Sequence, residues 1–320
     1  MSTNESSIAA TDVLRMFASA HKRVHLVGDL SAGVIIGLDL EGRLYTVYEG
    51  RILNRVNPLA ISGASVFDAF HNPGGDGLWP APEGTSLGYF YATGGWRVPS
   101  GIRNARFQVV SQTTHQAVVT SEIDLINGKG VGIPLLFERD VEIRAETDGV
   151  TVVVGESLTY LGGQTLEKNT FLLSPWSLCQ FDCGKGCEVV FNAKEEDVWD
   201  LYDDPGIDNR YWEGDVCHAI TDGTRRYQIG IGPAVTHIEY RDPSRRMRVV
   251  REAAALSDGL SHTDIRDAAP GVVPSEKGVR YSVYSDAKGF MEIEAAGGCP
   301  ELLVPGVKLT QSVSTRYYFD

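Results

Sequence analysis

From Val24 to the C-terminus, apolar residues recur in short runs or at every second position, punctuated by Gly, Asp, Asn and Pro. Alternation with a period of two marks strands that bury one face. It runs through "VHLVGD", "GVIIGLDLEGRLYTVYEG", "NARFQVVSQTTHQAVVTSEIDL", "VEIRAETDGVTVVVGESLTYLG", "CEVVFNA" and "KLTQSVSTRYYF". The intervening "LEGR", "TDG", "SDG" and "DAKG" predict tight turns with positive φ. Residues 8–22 differ: Ile8, Val13, Leu14, Met16, Phe17 and Ala20 fall at helical spacing and predict one short helix. No second long helical pattern follows, and strands do not alternate with helices, which argues against a parallel α/β sheet. No internal repeat is visible either, against a propeller. The pattern predicts an all-β fold, one large antiparallel β-sandwich over 23–320 with a helical arm over 1–22. Segments 62–102, 193–216 and 252–279 read as long irregular pieces, either functional loops or covers over a face.

Composition narrows the class of partner. The chain has 320 residues, 42% of them hydrophobic, and a formal net charge of −13. That balance lacks the basic footprint which nucleic acid or an anionic membrane surface requires. No basic segment followed by an apolar run opens the chain, and no window reaches the length of a membrane span. Five cysteines, an odd number, fit a reducing compartment better than a disulfide framework, so a cytoplasmic protein is expected. No oligomeric state is specified by the pattern.

Two stretches carry candidate chemistry. "HNPGGDGLWPAPEG", residues 71–84, holds so many glycines and prolines that it predicts a loop rather than a strand. Gly74, Gly75 and Gly77 would permit positive φ and close approach to a ligand. Trp79 offers a flat apolar face flanked by His71, Asp76 and Glu83, a combination suited to a sugar, whose C–H faces stack while acids hold its hydroxyls. The alternative is an Ω-like loop with Trp79 as a core plug. In "FMEIEA", strand alternation puts Phe290, Glu292 and Glu294 on one face and Met291, Ile293 and Ala295 on a core face. Carboxylates two apart along a strand stand about 7 Å from each other. They form either a solvated face or a pair whose mutual repulsion raises one pKa for acid–base work.

Other groups are candidates by position. Trp96 and Arg97 in "GGWRVPSG" follow the first motif, and Arg97 would bind a carboxylate, phosphate or hydroxyl. "SPWSLCQF" predicts a half-buried strand with Trp176, Leu178 and Gln180 on one face. "YWEGDVCHAI" offers Glu213, Asp215 and His218. The C-x3-C-x3-C spacing of Cys179, Cys183 and Cys187 does not converge as zinc pairs do. There is no HExxH, no G-x-S-x-G elbow and no phosphate loop leading into a helix, so neither a metal nor a cofactor is expected.

"PGGDGLWPAPEG", "SPWSLCQF", "RRYQIGIGP" and "FMEIEAAGGCPELLVPG" together resemble motifs of the galactose-mutarotase-like superfamily. The first is closest to a branch with a Gly-Gly-Asp-…-Leu-Trp-…-Ala-Pro-Glu signature. The resemblance extends from about residue 24 to the end and rests on these short motifs. It implies a β-supersandwich that binds a small-molecule carbohydrate in a shallow cleft, without a cofactor. It further implies an aldose mutarotase or related sugar isomerase or epimerase. In such enzymes a glutamate takes the proton of the anomeric hydroxyl and a histidine protonates the ring oxygen. Glu294 matches that glutamate, with Glu292 behind it. "GGWRVPSG" and "LEKNTFLLSPW", where the family carries its histidine, contain none, leaving His71 and His218 as candidate acids. Asp76, Trp79, Glu83, Arg97, Trp176 and Gln180 would shape the cleft. A non-catalytic sugar sensor, or a polysaccharide or oligosaccharide hydrolase or lyase on the same fold, are the alternative readings.

Overall fold

The computed structural model describes residues 8–63 and 70–320. Two large antiparallel sheets dominate it. The first runs, in spatial order, Val24–Gly28, Ala32–Gly37, Arg43–Tyr48, Asp76–Ala81, Ser174–Asp182, Phe290–Ala296, Tyr281–Asp286, Tyr227–Ile231 and Val198–Tyr202, with Arg51–Ile52 beside Arg43–Tyr48. The second runs from Arg210–Glu213 through Val216–Ile220, Glu188–Asn192, His237–Asp242, Met247–Ala253, Lys308–Phe319, Gly149–Tyr160, Gly132–Glu146 and Gln116–Ile126 to Gln108–Gln112. The all-β antiparallel sandwich expected from the alternation is the observed fold.

Strand parity decides what each side chain meets. Met291, Ile293 and Ala295 are fully buried between the sheets, as are Cys179 and Phe181. Tyr317 of the second sheet reaches across, its hydroxyl 3.7 Å from Cys179 Sγ. Polar groups also span the two layers. Asp76 accepts from Arg139 Nη2 at 2.6 Å and from Arg251 Nη1 at 2.8 Å, while Glu156 accepts from the same Arg139 nitrogen at 2.7 Å.

The helix is Ala10–Ser19, shorter than the 8–22 pattern. Ala10, Val13 and Phe17 form its buried stripe, packed on Ile35, Tyr45 and Val47 of the first sheet. Phe17 and Tyr45 meet edge-to-face with centroids 6.2 Å apart. Burying such a phenylalanine contributes about 1.5–3 kcal/mol. The helix thereby covers one end of the outer face of that sheet.

Two expectations are corrected. Residues 76–81 are a strand inside the first sheet, not a loop. Pro80 is tolerated because it stands opposite Pro175. Two opposed prolines can only occupy a non-hydrogen-bonded pair, where neither N–H is needed across the ladder. Segment 193–216 is likewise ordered, supplying the edge strands Val198–Tyr202 and Arg210–Glu213. Positive φ occurs at Glu41–Gly42, Gly223, Gly259 and Gly289, as "LEGR", the "TDG" at 221–223, "SDG" and "DAKG" predict, but not in the "TDG" at 147–149, where Gly149 begins the strand Gly149–Tyr160.

Candidate active site

On the outer face of the first sheet, beyond the part covered by the helix, lies a cavity of about 430 Å³. That is within the range of small-molecule sites, roughly 300–1,000 Å³. Its floor follows from register. Leu178 pairs with Glu294 and Glu294 with Ser282, forming one row across the sheet. Gln180, Glu292, Tyr284, Gln228 and Tyr202 form the next. Each row projects outward because the alternate residues fill the core.

Glu292 and Glu294 are 6% and 1% exposed, which removes the solvated-face alternative. Trp176 Nε1 donates to Glu294 Oε2 at 3.1 Å, and Gln228 Nε2 lies 3.2 Å from both Glu294 oxygens. Gln180 Nε2 donates to Glu292 Oε1 at 2.8 Å. Burial pushes Glu294 well above the usual carboxylate range, and the charge of Glu292 adds to it. Burial pushes Glu292 up to about 7, against the pull of Arg43 and Arg55 and of a hydrogen bond with Glu294. The two carboxyls titrate as a coupled pair, and burial makes that pair bind a proton more readily than two exposed glutamates would.

The walls are aromatic. Trp79 and Trp176 stand opposite each other in register and meet edge-to-face at 6.1 Å. Trp79 contacts Phe90 at 4.8 Å, and Phe90 stacks on Trp96 at 5.9 Å. Trp96 Nε1 donates to Glu83 Oε1 at 2.5 Å. Burial lifts the Glu83 carboxyl to about 8, helped by the negative charge of Asp267. Asp267 in turn accepts from Tyr91 Oη. The opposite rim carries Arg226, whose guanidinium lies 4.4 Å from the Tyr202 ring centroid, together with Lys288 and Phe290.

Beneath Trp79, the Glu41 carboxylate accepts from Trp79 Nε1 at 3.3 Å and from Arg43 Nη2 at 2.9 Å. Gly77 makes room for this arrangement. A Cβ there would lie 2.5–2.8 Å from three atoms of the Arg43 guanidine group. Gly74 and Gly75 have the anticipated positive φ, whereas Gly77 serves through its missing side chain.

The structure thus brings Trp79, Glu83, Trp176, Glu292 and Glu294 to one cavity, although Trp79 and Trp176 are buried core residues that show it little surface, so the core-plug reading of Trp79 holds as well. It places the other candidates elsewhere. Asp76 points into the sandwich, because it is one residue out of phase with Gly77 and Trp79, and there it meets Arg139 and Arg251. Gln180 is fully buried and reaches the site through Glu292. Arg97 borders a smaller neighbouring cavity with Tyr89 and Val98. His71 borders another, with Lys22, Asp39 and Glu41. His218 belongs to the second sheet, where its Nδ1 lies 2.8 Å from Glu188 Oε2 and its ring stacks on Tyr211. Among the described residues, no histidine lines the main cavity. Arg226, Gln228, Asp267, Tyr202, Tyr284 and Lys288 were not anticipated. One signal did exist: in "RRYQIGI", alternation puts polar Arg226 and Gln228 opposite the apolar face of Tyr227, Ile229 and Ile231.

A model of the family of unknown function DUF6786 matches residues 11–240. The chain belongs to DUF6786. No curated protein matches this DUF6786 member in sequence. Its fold is similar to that of a galactose mutarotase-like protein from Lactobacillus casei, with TM-score 0.57 and 10% identity, covering 92% of this chain and 100% of the other. It is also similar to a galactose mutarotase related enzyme from Lactobacillus acidophilus, with TM-score 0.51 and 11% identity, covering 92% and 97% respectively. At such identity the likeness gives this DUF6786 member the mutarotase-like β-sandwich fold and leaves its chemistry to the residues themselves. No helix of the described residues is long and apolar enough to cross a membrane.

Proposed function

We propose that the protein binds a monosaccharide in the main cavity and interconverts its anomers, or a closely related isomer pair, by proton transfer. The observation that carries this reading is the Glu292–Glu294 pair, buried in the floor of the cavity, with Trp176 and Gln228 donating to Glu294 and Gln180 to Glu292. Trp96 and Phe70, the partly exposed rings of the aromatic wall, suit the C–H faces of a pyranose. A buried carboxyl pair whose proton affinity is raised above the ordinary carboxylate range is a base tuned towards neutrality.

In this mechanism the pair takes the proton of the anomeric hydroxyl. The C1–O5 bond breaks, its electrons staying on the ring oxygen, which receives a proton. The free aldehyde rotates about C1–C2, and closure in reverse gives the other anomer. The chemistry calls for no cofactor. Five free cysteines favour action in the cytoplasm.

The test is exchange NMR or polarimetry on the full chain with a panel of free aldohexoses and aldopentoses. Catalysed anomer exchange that falls at least 100-fold in Glu294→Gln is expected. Saturable sugar binding without any catalysed exchange would instead establish a sensor or carrier.

A further inference from the structure

We propose that Glu83 is the general acid of this site, delivering the proton to the ring oxygen where the family resemblance implies a histidine. The inference rests on the sugar-isomerase reading and adds the second catalytic group that this reading requires.

The geometry singles out Glu83. It lines the cavity, and the described histidines that sequence reasoning offered as acids line other surfaces. An indole N–H anchors each of the two catalytic carboxyls: Trp176 holds Glu294, and Trp96 holds Glu83. Those two indoles are the ends of one aromatic run through Trp79 and Phe90. A sugar seated in the cavity therefore meets both the Glu292–Glu294 pair and Glu83, which the same aromatic run positions. Because the Trp96 N–H occupies Oε1, the acid proton is favoured on Oε2.

The backbone that carries Glu83 is fixed. Gly84 N donates to Arg266 O and Thr85 N to Ala268 O, which ties the segment to the one that carries Asp267. The two backbones approach so closely that a Cβ on Gly84 would lie 2.2 Å from Ala268 N. Asp267 adds negative charge beside Glu83, and burial with that charge raises the carboxyl to about 8. Glu83 is thus protonated at neutral pH and still within reach of transfer. The step balances. The Oε2 proton passes to O5 as C1–O5 cleaves, the hydroxyl proton passes to the Glu292–Glu294 pair, and both return on ring closure.

Glu83→Gln keeps the shape and the acceptor for Trp96 but has no acidic proton. On the aldose that the wild type exchanges fastest, the variant is expected to lose about 10²- to 10⁴-fold in kcat. KM should stay within about threefold, and the alkaline limb of the wild-type pH profile, near pH 8, should vanish. In the wild type, the Glu83 carboxyl carbon should titrate near pH 8 by ¹³C NMR. A variant within about threefold of wild type, an alkaline limb that persists in it, or a Glu83 carboxyl titrating in the ordinary acidic range each overturns the acid role. If the wild type exchanges no aldose, the isomerase reading falls and the acid role with it. An active wild type with an unimpaired Glu83→Gln variant overturns the acid role alone.

Discussion

Asp76 and Trp79 sit three positions apart in one strand, and that odd separation sends them to opposite sides of the first sheet. Trp79 helps build the cavity, whereas Asp76 neutralises two buried guanidinium groups. Burial alone would raise the Asp76 carboxyl, but Arg251 and Arg139 hold it below its usual range. Asp76→Asn should therefore cost about 3–5 kcal/mol in urea unfolding, since it strands buried cations without their counter-charge. A loss below about 1 kcal/mol would show that Glu156 compensates. Gly77→Ala should cost about 1–3 kcal/mol by the same measurement, because the Arg43 group it meets is pinned by Glu41 and cannot swing away. At this scale the sequence was partly legible. "FMEIEA" declared by parity which residues face together. What it left open was which face of "DGLWPA" is the outer one, since Asp76 on the inner face is explained only by arginines 63 and 175 residues further along.

At the scale of elements, the strands were readable from alternation and their turns from Gly and Asp, yet "GLWPAP" was read as a loop. Local propensity counts Pro80 as a break, while the opposed Pro175 that makes it acceptable lies 95 residues away in the chain. The loops behave in the same non-local way. Segment 82–99 gains its order from backbone pairing with segment 264–273, through Gly84, Thr85 and Ser86. Gly84→Ala should force the two apart. The expected results are faster limited proteolysis of both segments and at least a tenfold weaker affinity for any sugar the wild type binds. Proteolysis unchanged from wild type would mean that the two segments hold together without this contact.

For the molecule as a whole, the division of labour between sheets sets how stability responds to pH. Burial raises Glu83 to about 8 from an ordinary 4.5, so between those values the folded chain holds a proton that the unfolded chain has released. Its contribution to stability is complete below the lower value and is lost as pH rises through the upper one. Glu292, raised to about 7, acts in the same direction, whereas Asp76, held low by its arginines, contributes stability that is lost as the solution becomes strongly acidic. Thermal unfolding should therefore show a Tm that declines from about pH 5 to about pH 8.5, with a shallower slope in Glu83→Gln. Equal slopes in the two proteins would place the Glu83 proton elsewhere. The overall sandwich was legible because every strand repeats the same two-residue rule. The cavity was less so, because its residues are drawn from both ends of the chain.

Three of the five tryptophans line this cavity, and each donates its indole N–H to a carboxyl group. The molecule therefore carries a built-in optical reporter. Emission from Trp96 and Trp176 should change as their carboxyl partners gain or lose protons, and change again when a ligand displaces the water around them. Occupancy of the site and the charge on its acids can thus be followed in the unlabelled protein.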